Sequence, residues 1–206
     1  MARSKNQSAR RLELLDAAEQ ALVERGRGDL RVKDIADVVG LTPTAVAYYY
    51  PDLEELVVQV YRRVTERYAT NRARVVAGLS EPRKQLAAMI ELGVPSGPDD
   101  RDGLLTYQLA GEPRAATRYA DLSGSLFTTE VMLYSAIIGS GADAGVMSPV
   151  LEGAVVARAL VALEDSYGLR IVVDDSGISH DEAVAEIRAV AETLVEASLP
   201  PAGPAT

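Results

Sequence analysis

The stretch Lys33-Asp-Ile-Ala-Asp-Val-Val-Gly-Leu-Thr-Pro-Thr-Ala-Val-Ala-Tyr-Tyr-Tyr50 decides the reading of this chain. Two short helices cross steeply only where the contact residue is small, the turn residue tolerates a positive φ and a few apolar side chains form the seam. Ala36 supplies the small contact and Gly40 the turn, while Ile35, Val39, Leu41, Val46 and Tyr49 fall at seam spacings. Thr42 before Pro43 is a helix start: the threonine oxygen accepts from a free first-turn N–H, and proline at the first helical position sacrifices no hydrogen bond. The pattern predicts one helix over 32–39, a turn, and a second helix over 43–49. Thr42, Thr44, Ala45 and Tyr48, left outside the seam, are free to face a DNA major groove, which is the arrangement of a helix-turn-helix.

Upstream, Leu12, Leu15, Ala18, Leu22 and Val23 recur at helical steps from Ser8 until Gly26. Ahead of them lies a basic arm carrying Arg3, Lys5, Arg10 and Arg11 before the first acid, Glu13. The 206-residue chain has a net charge of -9, which by itself argues against a polyanionic partner. The charge is segregated, however. Residues 1–75 carry 13 basic and 11 acidic side chains, a balance of +2, and the remainder carries -11. Lys33 adds positive charge next to the expected reading helix.

Downstream the reading is helical throughout, and no alternating run predicts a strand. Asp52 and Glu55 predict a capped long helix through Leu56, Val60, Val64, Tyr68 and Val75 to Gly78. Ser80-Glu-Pro82 opens the next helix, to about Gly93, and Pro95–Asp100 is a loop. Further helices are predicted over 101–110, 113–120, 124–138 and, from the Ser148-Pro149 start, to Val173. Ser179 with Glu182 is a capping box for a last helix to Ala197, and the proline-rich tail 199–206 is expected to be disordered.

The residues of Arg11–Leu56 resemble the TetR (tetracycline-repressor-like) family of bacterial regulators. The match runs through Ile35-Ala36, Gly40-Leu41-Thr42-Pro43, the aromatic cluster Tyr48-Tyr49-Tyr50 and Pro51-Asp-Leu-Glu-Glu-Leu56. Ala47 stands where the family often has a phosphate-touching tyrosine, and Leu53 where a lysine usually caps the fourth helix.

The resemblance implies an all-α chain: a three-helix DNA-binding helix-turn-helix domain (1–51), a linking fourth helix (52–78), a larger helical ligand-binding and dimerisation domain (79–198) and a tail (199–206). It implies a homodimer through the helices near 149–173 and 179–197, a palindromic double-stranded DNA operator, and release by a small-molecule ligand that changes the angle between the linking helices. The DNA-binding residues are then Arg3, Lys5, Arg10, Arg11, Lys33, Thr42, Thr44, Ala45, Tyr48 and Tyr49. A ligand chamber needs apolar walls with a few polar groups. Met89, Tyr107, Phe127, Val131, Tyr134 and Leu160 are the expected walls, with Gln108, Glu130, Arg158 and Asp165 as the polar contributors.

Other function classes fare worse. With no Cys and one His, neither a thiolate site nor a multi-histidine metal site is available, and no cofactor is expected. His180 sits in a capping sequence beside Asp181, where solvent exposure is expected, and Gly139–Gly145 follows a helix with the wrong spacing for a dinucleotide loop. There is no phosphate-loop or Gly-x-Ser-x-Gly signature, so an enzyme is not expected. No apolar run long enough to span a membrane is read, nor a secretory signal, and the expectation is a soluble cytoplasmic protein. The competing reading is a helical interaction protein or small-molecule binder with degenerate DNA binding.

Overall fold

The structure, a computed structural model, describes residues 2–110, 116–173 and 177–201, with side chains except at 2–6, 109–110 and 116–118. Among the described residues it has nine helices and no strand: α1 (Ala2–Arg25), α2 (Val32–Val38), α3 (Pro43–Tyr49), α4 (Leu53–Ala77), α5 (Pro82–Gly93), α6 (Arg101–Ala110), α7 (Ala116–Asp143), α8 (Gly153–Val173) and α9 (His180–Val195). The all-α expectation holds.

The chain packs as two units, one of Met1–Thr65 with Leu104–Leu122, the other of Glu66–Gly103 with Ser123–Thr206. The chain passes between them three times, inside α4, α6 and α7.

The first unit closes around Leu14, Ala18 and Leu22 of α1, Ile35 and Ala36 of α2, Val46 of α3, and Leu56, Val60 and Val64 of α4. Leu105 of α6 and Tyr119 of α7 are buried in the same core, at 0 % and 2 % exposure. α1 starts six residues before the expected Ser8, so the basic segment lies on a helix instead of forming an extended arm. No Gly or Pro interrupts residues 2–7, and Arg10 pairs with Glu13 one turn on at 2.7 Å.

The second unit buries Leu86, Met89 and Ile90 of α5, Tyr134 and Ile138 of α7, Val156, Leu160 and Val161 of α8, and Ala183, Ile187 and Ala191 of α9. The start expected at Ser148-Pro149 is corrected: α8 begins at Gly153. The segment leading into it is held elsewhere, since Ser148 and Val150 donate backbone N–H groups to Val195 and Leu194 carbonyls at 2.7 and 2.9 Å. Those bonds satisfy the last carbonyls of α9 and set α8 and α9 antiparallel. The capping box opening α9 is present, Ser179 accepting from the Glu182 N–H and Glu182 accepting from the Ser179 N–H.

The helices expected at 113–120 and 124–138 are one helix, α7; residues 111–115 lie outside the described residues. Gly124 and Gly139 do not break it, because neither takes the left-handed φ that ends a helix; Gly145, at φ 67°, does. The merger lengthens the apolar run. Tyr119–Asp143 is long and apolar enough to cross a membrane by length and composition alone, although Glu130 within it is buried against Arg72. The tail is partly held: Arg188 donates to the Leu199 and Pro200 carbonyls at 2.8 Å each, and Leu199 is buried. Residues 202–206 lie outside the described residues.

Candidate nucleic-acid interface and buried ion cluster

In the first unit, Gly40 takes φ 65°, the Leu41 N–H reaches the Ala36 carbonyl at 2.9 Å and the Gly40 N–H reaches Asp37 at 3.4 Å. These bonds close α2 with a left-handed turn that a side chain at position 40 would strain. The chain is thereby redirected into α3, where the Thr42 oxygen accepts from the Ala45 N–H at 3.2 Å. Val46 is buried and anchors α3, and Tyr50 is buried behind it.

The opposite face of α3 is open. Thr42, Thr44 and Tyr48 are exposed, Tyr48 by 70 %, with Ala45 and Tyr49 half-buried beside them. Tyr48 and Tyr49 meet edge to face at 5.1 Å. Lys33 is exposed at the start of α2. Arg10 is engaged with Glu13, and the Arg11 guanidinium lies 5.3 Å from the centre of the Tyr50 ring at the end of α3. Arg3 and Lys5 are on α1, and their side chains lie outside the described residues.

A second feature of this unit was not legible in the sequence. Glu54, in the first turn of α4, accepts from Arg27 and from the Tyr119 hydroxyl, the latter at 2.5 Å. The Tyr119 ring meets Tyr61 edge to face at 5.6 Å. Burial and the Glu54 carboxylate push the Tyr119 hydroxyl far above its ordinary pKa, so it stays a donor.

In the second unit the salient group is Arg72 of α4, 1 % exposed, in a core of apolar side chains. Its Nη1 donates to Glu130 of α7 and, at 3.1 Å, to the Tyr68 hydroxyl. Its Nη2 donates to the Met89 carbonyl at 2.7 Å and to both Glu164 oxygens at 2.9 and 3.1 Å. The guanidinium lies 5.2 and 5.6 Å from the centres of the Tyr68 and Tyr134 rings, and the Tyr134 hydroxyl donates to Glu164.

A buried charge is tolerated only when paired and hydrogen-bonded, and Arg72 has both kinds of support. One guanidinium faces two carboxyl groups, so the cluster is balanced only when one of them holds a proton. Burial pushes Glu130 up to about 8 and Glu164 up to about 7, against the pull of Arg72. The pair therefore holds a proton near neutral pH, shared between coupled sites. Gly93 makes the geometry possible, because a Cβ there would overlap the Glu164 carboxylate.

Of the expected chamber residues, Met89, Glu130 and Tyr134 meet at this cluster, and Val131 and Leu160 belong to the core around it. Tyr107 and Gln108 belong to the first unit; Gln108 Oε1 is buried without a hydrogen-bond partner. Phe127 and Arg158 do not face the cluster. They lie exposed on the outward sides of α7 and α8, because Glu130 and Leu160 take the inward positions. Asp165 is exposed, and its neighbour Glu164 is the carboxylate that turns inward. A signal for Glu164 was present: it sits four residues after Leu160 and four before Gly168, on the apolar stripe. Arg72 carried no comparable local signal.

His180 departs from its expected exposure. It is 21 % exposed, with Nδ1 3.1 Å from the Pro95 carbonyl and Nε2 3.5 Å from Glu91, because the α9 capping turn sits against the end of α5. It borders an open groove of about 770 Å3 whose wall includes Tyr68 and Asp99.

No family model matches the chain. It is 28% identical over 81 residues to the HTH-type transcriptional regulator BetI of Brucella anthropi, an alignment spanning 39% of this chain and 42% of that protein. The chain therefore matches only about two fifths of that curated relative's length. Solved structures resemble it over nearly the whole chain. A TetR transcription regulator from Haloarcula marismortui aligns with TM-score 0.78 and 23% identity, covering 94% of this chain and 100% of that one. A transcriptional regulator from Saccharomonospora viridis in complex with choline aligns with TM-score 0.77 and 22% identity, covering 91% and 98%. FadR of Bacillus subtilis in complex with stearoyl-CoA aligns with TM-score 0.67 and 16% identity, covering 89% and 97%. The fold is that of TetR-family transcriptional regulators, as the residues of Arg11–Leu56 led one to expect.

Proposed function

We propose that the chain is a ligand-responsive transcriptional regulator, most simply a cytoplasmic repressor, whose homodimer binds a palindromic operator and leaves it when a small molecule binds. The observation that carries this reading is α3: a short capped helix, anchored by Val46 and presenting Thr42, Thr44 and Tyr48 to solvent beyond the Gly40 turn. Such a helix inserts in the major groove, where its exposed side chains reach base edges and Lys33 reaches phosphate. Two-fold pairing of the protein then requires a two-fold operator.

The pairing surface in this reading is the outer face of α8, the segment leading into it and α9. Val150, Leu151, Val155, Leu169, Val173 and Val190 are all more than a third exposed there, an apolar face of the kind that marks an interface. Leu151→Asp should convert the dimer to monomer in analytical ultracentrifugation with an unchanged helical spectrum; a variant that stays dimeric moves the interface elsewhere.

The chamber is assigned to the second unit and the signal to α4, which runs through both units. A ligand moves the DNA-binding heads only by binding their two arrangements unequally. Selection from a random duplex pool at low salt tests the reading. A recovered palindrome with half-sites about one helical turn (~34–36 Å) or a multiple apart is expected. Binding without sequence preference overturns it. One observation favours the alternative, a helical interaction protein: Arg10, Arg27 and Arg63 of the first unit are each held in an ion pair with a carboxylate. In that case the pool experiment yields no motif at any salt concentration.

A further inference from the structure

The Arg72 cluster has the composition of a cation-binding cage: two aromatic rings over which the charge sits, two carboxyl groups, two tyrosine hydroxyls and a backbone carbonyl, all directed at one guanidinium. Every hydrogen bond goes to the terminal Nη atoms. The Nε–H nearer the backbone is buried with no partner. The cage thus holds a cationic head group and makes no polar use of the stem that tethers it to α4.

Tyr68 belongs to two places. Its ring and hydroxyl hold Arg72, its hydroxyl donates to the Gly93 carbonyl at 3.2 Å, and the residue also lines the open groove of about 770 Å3. That volume falls within the range of small-molecule sites. In the groove the carboxylates of Glu91, Asp99, Asp100 and Asp102 outnumber the guanidiniums of Arg67 and Arg101. An acidic vestibule and a buried cage with an excess carboxyl group thus share one tyrosine as their partition.

We propose that this groove and cage bind a small organic cation, of the guanidinium or alkylammonium class, and that Arg72 occupies the head-group position as a tethered stand-in until the free cation replaces it. Charge conservation selects the class. If Arg72 leaves, its positive charge goes with it, and the carboxylate that the shared proton does not neutralise is left without a partner; a cation supplies that partner, whereas a neutral or anionic ligand does not. The exchange also supplies a signal, since Arg72 joins α4 to α5, α7 and α8, and its release breaks these three ties. The inference deepens the ligand-responsive reading and rests on it for the effect at DNA.

The test measures cation binding first, in the absence of DNA. Methylguanidinium and tetramethylammonium are titrated at millimolar concentration into the full chain by calorimetry and thermal shift, with acetate as the anionic control. Wild type should bind the cations weakly and acetate not at all. Arg72→Ala removes the tethered competitor, and methylguanidinium should then bind roughly tenfold tighter or more. Tighter binding in the variant supports the cage; a helical Arg72→Ala variant that binds no tighter than wild type overturns it, as does binding of acetate. Where Arg72→Ala does not fold, Arg72→Gln, which also removes the tethered charge, carries the comparison, with tighter and unchanged binding read the same way. Operator binding by the cation-free protein is scored separately. Its loss refutes the regulator reading, whereas failed cation binding with intact operator binding refutes only the cage.

Discussion

Gly93→Ala is a substitution of one methyl group, and it should be among the most damaging in the second unit. Gly93 closes α5, and a Cβ built there falls inside the Glu164 carboxylate. Were Glu164 a free surface chain, it would swing aside at little cost. It is instead held by both oxygens to Arg72 Nη2 and receives the Tyr134 hydroxyl. Making room for the methyl means withdrawing one partner from a buried ion pair, which costs about 3–5 kcal/mol. The φ at Gly93 lies outside the left-handed region, so alanine is not strained there, and its better helix propensity returns at most about 1 kcal/mol. The net loss should be about 2–4 kcal/mol, a large share of the ~5–15 kcal/mol that holds a typical domain folded.

Urea unfolding followed by helical circular dichroism reads this loss directly. A double-mutant cycle isolates its cause: Glu164→Ala empties the space and leaves Arg72 balanced by Glu130 alone. In that background Gly93→Ala should cost less than about 1 kcal/mol, so that the coupling carries nearly the whole effect. An equal cost in both backgrounds would refute the role of the ion cluster and leave only a packing defect at the end of α5.

Three further outcomes follow from the same geometry. Glu130 and Glu164 are protonated more readily in the folded chain than in the unfolded one, so the folded state binds more protons between about 4.5 and about 8. Stability should therefore fall as pH rises through 7 to 8, by about 2–4 kcal/mol between pH 6 and 9, since a proton held only by the folded chain is worth about 1.4 kcal/mol for every step of one in pH. Urea midpoints check the sign, with Arg72, Tyr68, Tyr134 and Asp165 the other charged or titratable groups at the cluster, and Glu130→Gln should flatten the profile. Tyr119→Phe removes the only donor that α7 gives Glu54 among the described contacts, and should lower stability by about 1.5–3 kcal/mol, the usual worth of a hydrogen bond to a charged group. Tyr48→Ala should leave the melting temperature unchanged, since the side chain is 70 % exposed, while weakening operator binding in a gel-shift titration; a stability loss without an affinity loss would place Tyr48 in the fold instead.

What was legible in the sequence was local. The turn at Gly40, the cap at Thr42 and the capping box at Ser179 each depend on residues within four positions of one another, so the spacing states the structure. The expected α7 break failed because glycine permits a left-handed turn without requiring one, and Gly124 and Gly139 keep helical backbone. Gly141, for instance, stays helical with the Met147 side chain against it. The Arg72 cluster was out of reach for a different reason. Its partners lie 58 and 92 positions away, and an arginine in the middle of a polar-faced helix looks solvated until the fold brings two carboxylates to it. Met89, Glu130 and Tyr134 could be nominated from helical spacing, but what they surround could not.

The three passages between the units all fall inside helices, and Leu105 and Tyr119 complete the first core from far along the chain. This bears on how the molecule could be recombined. A chimera that joins the first 51 or 65 residues to another body of this fold would leave the pockets for Leu105 and Tyr119 unfilled and Glu54 without its tyrosine. The first unit is discontinuous, and transplanting it by splicing would require carrying residues 104–122 with the head.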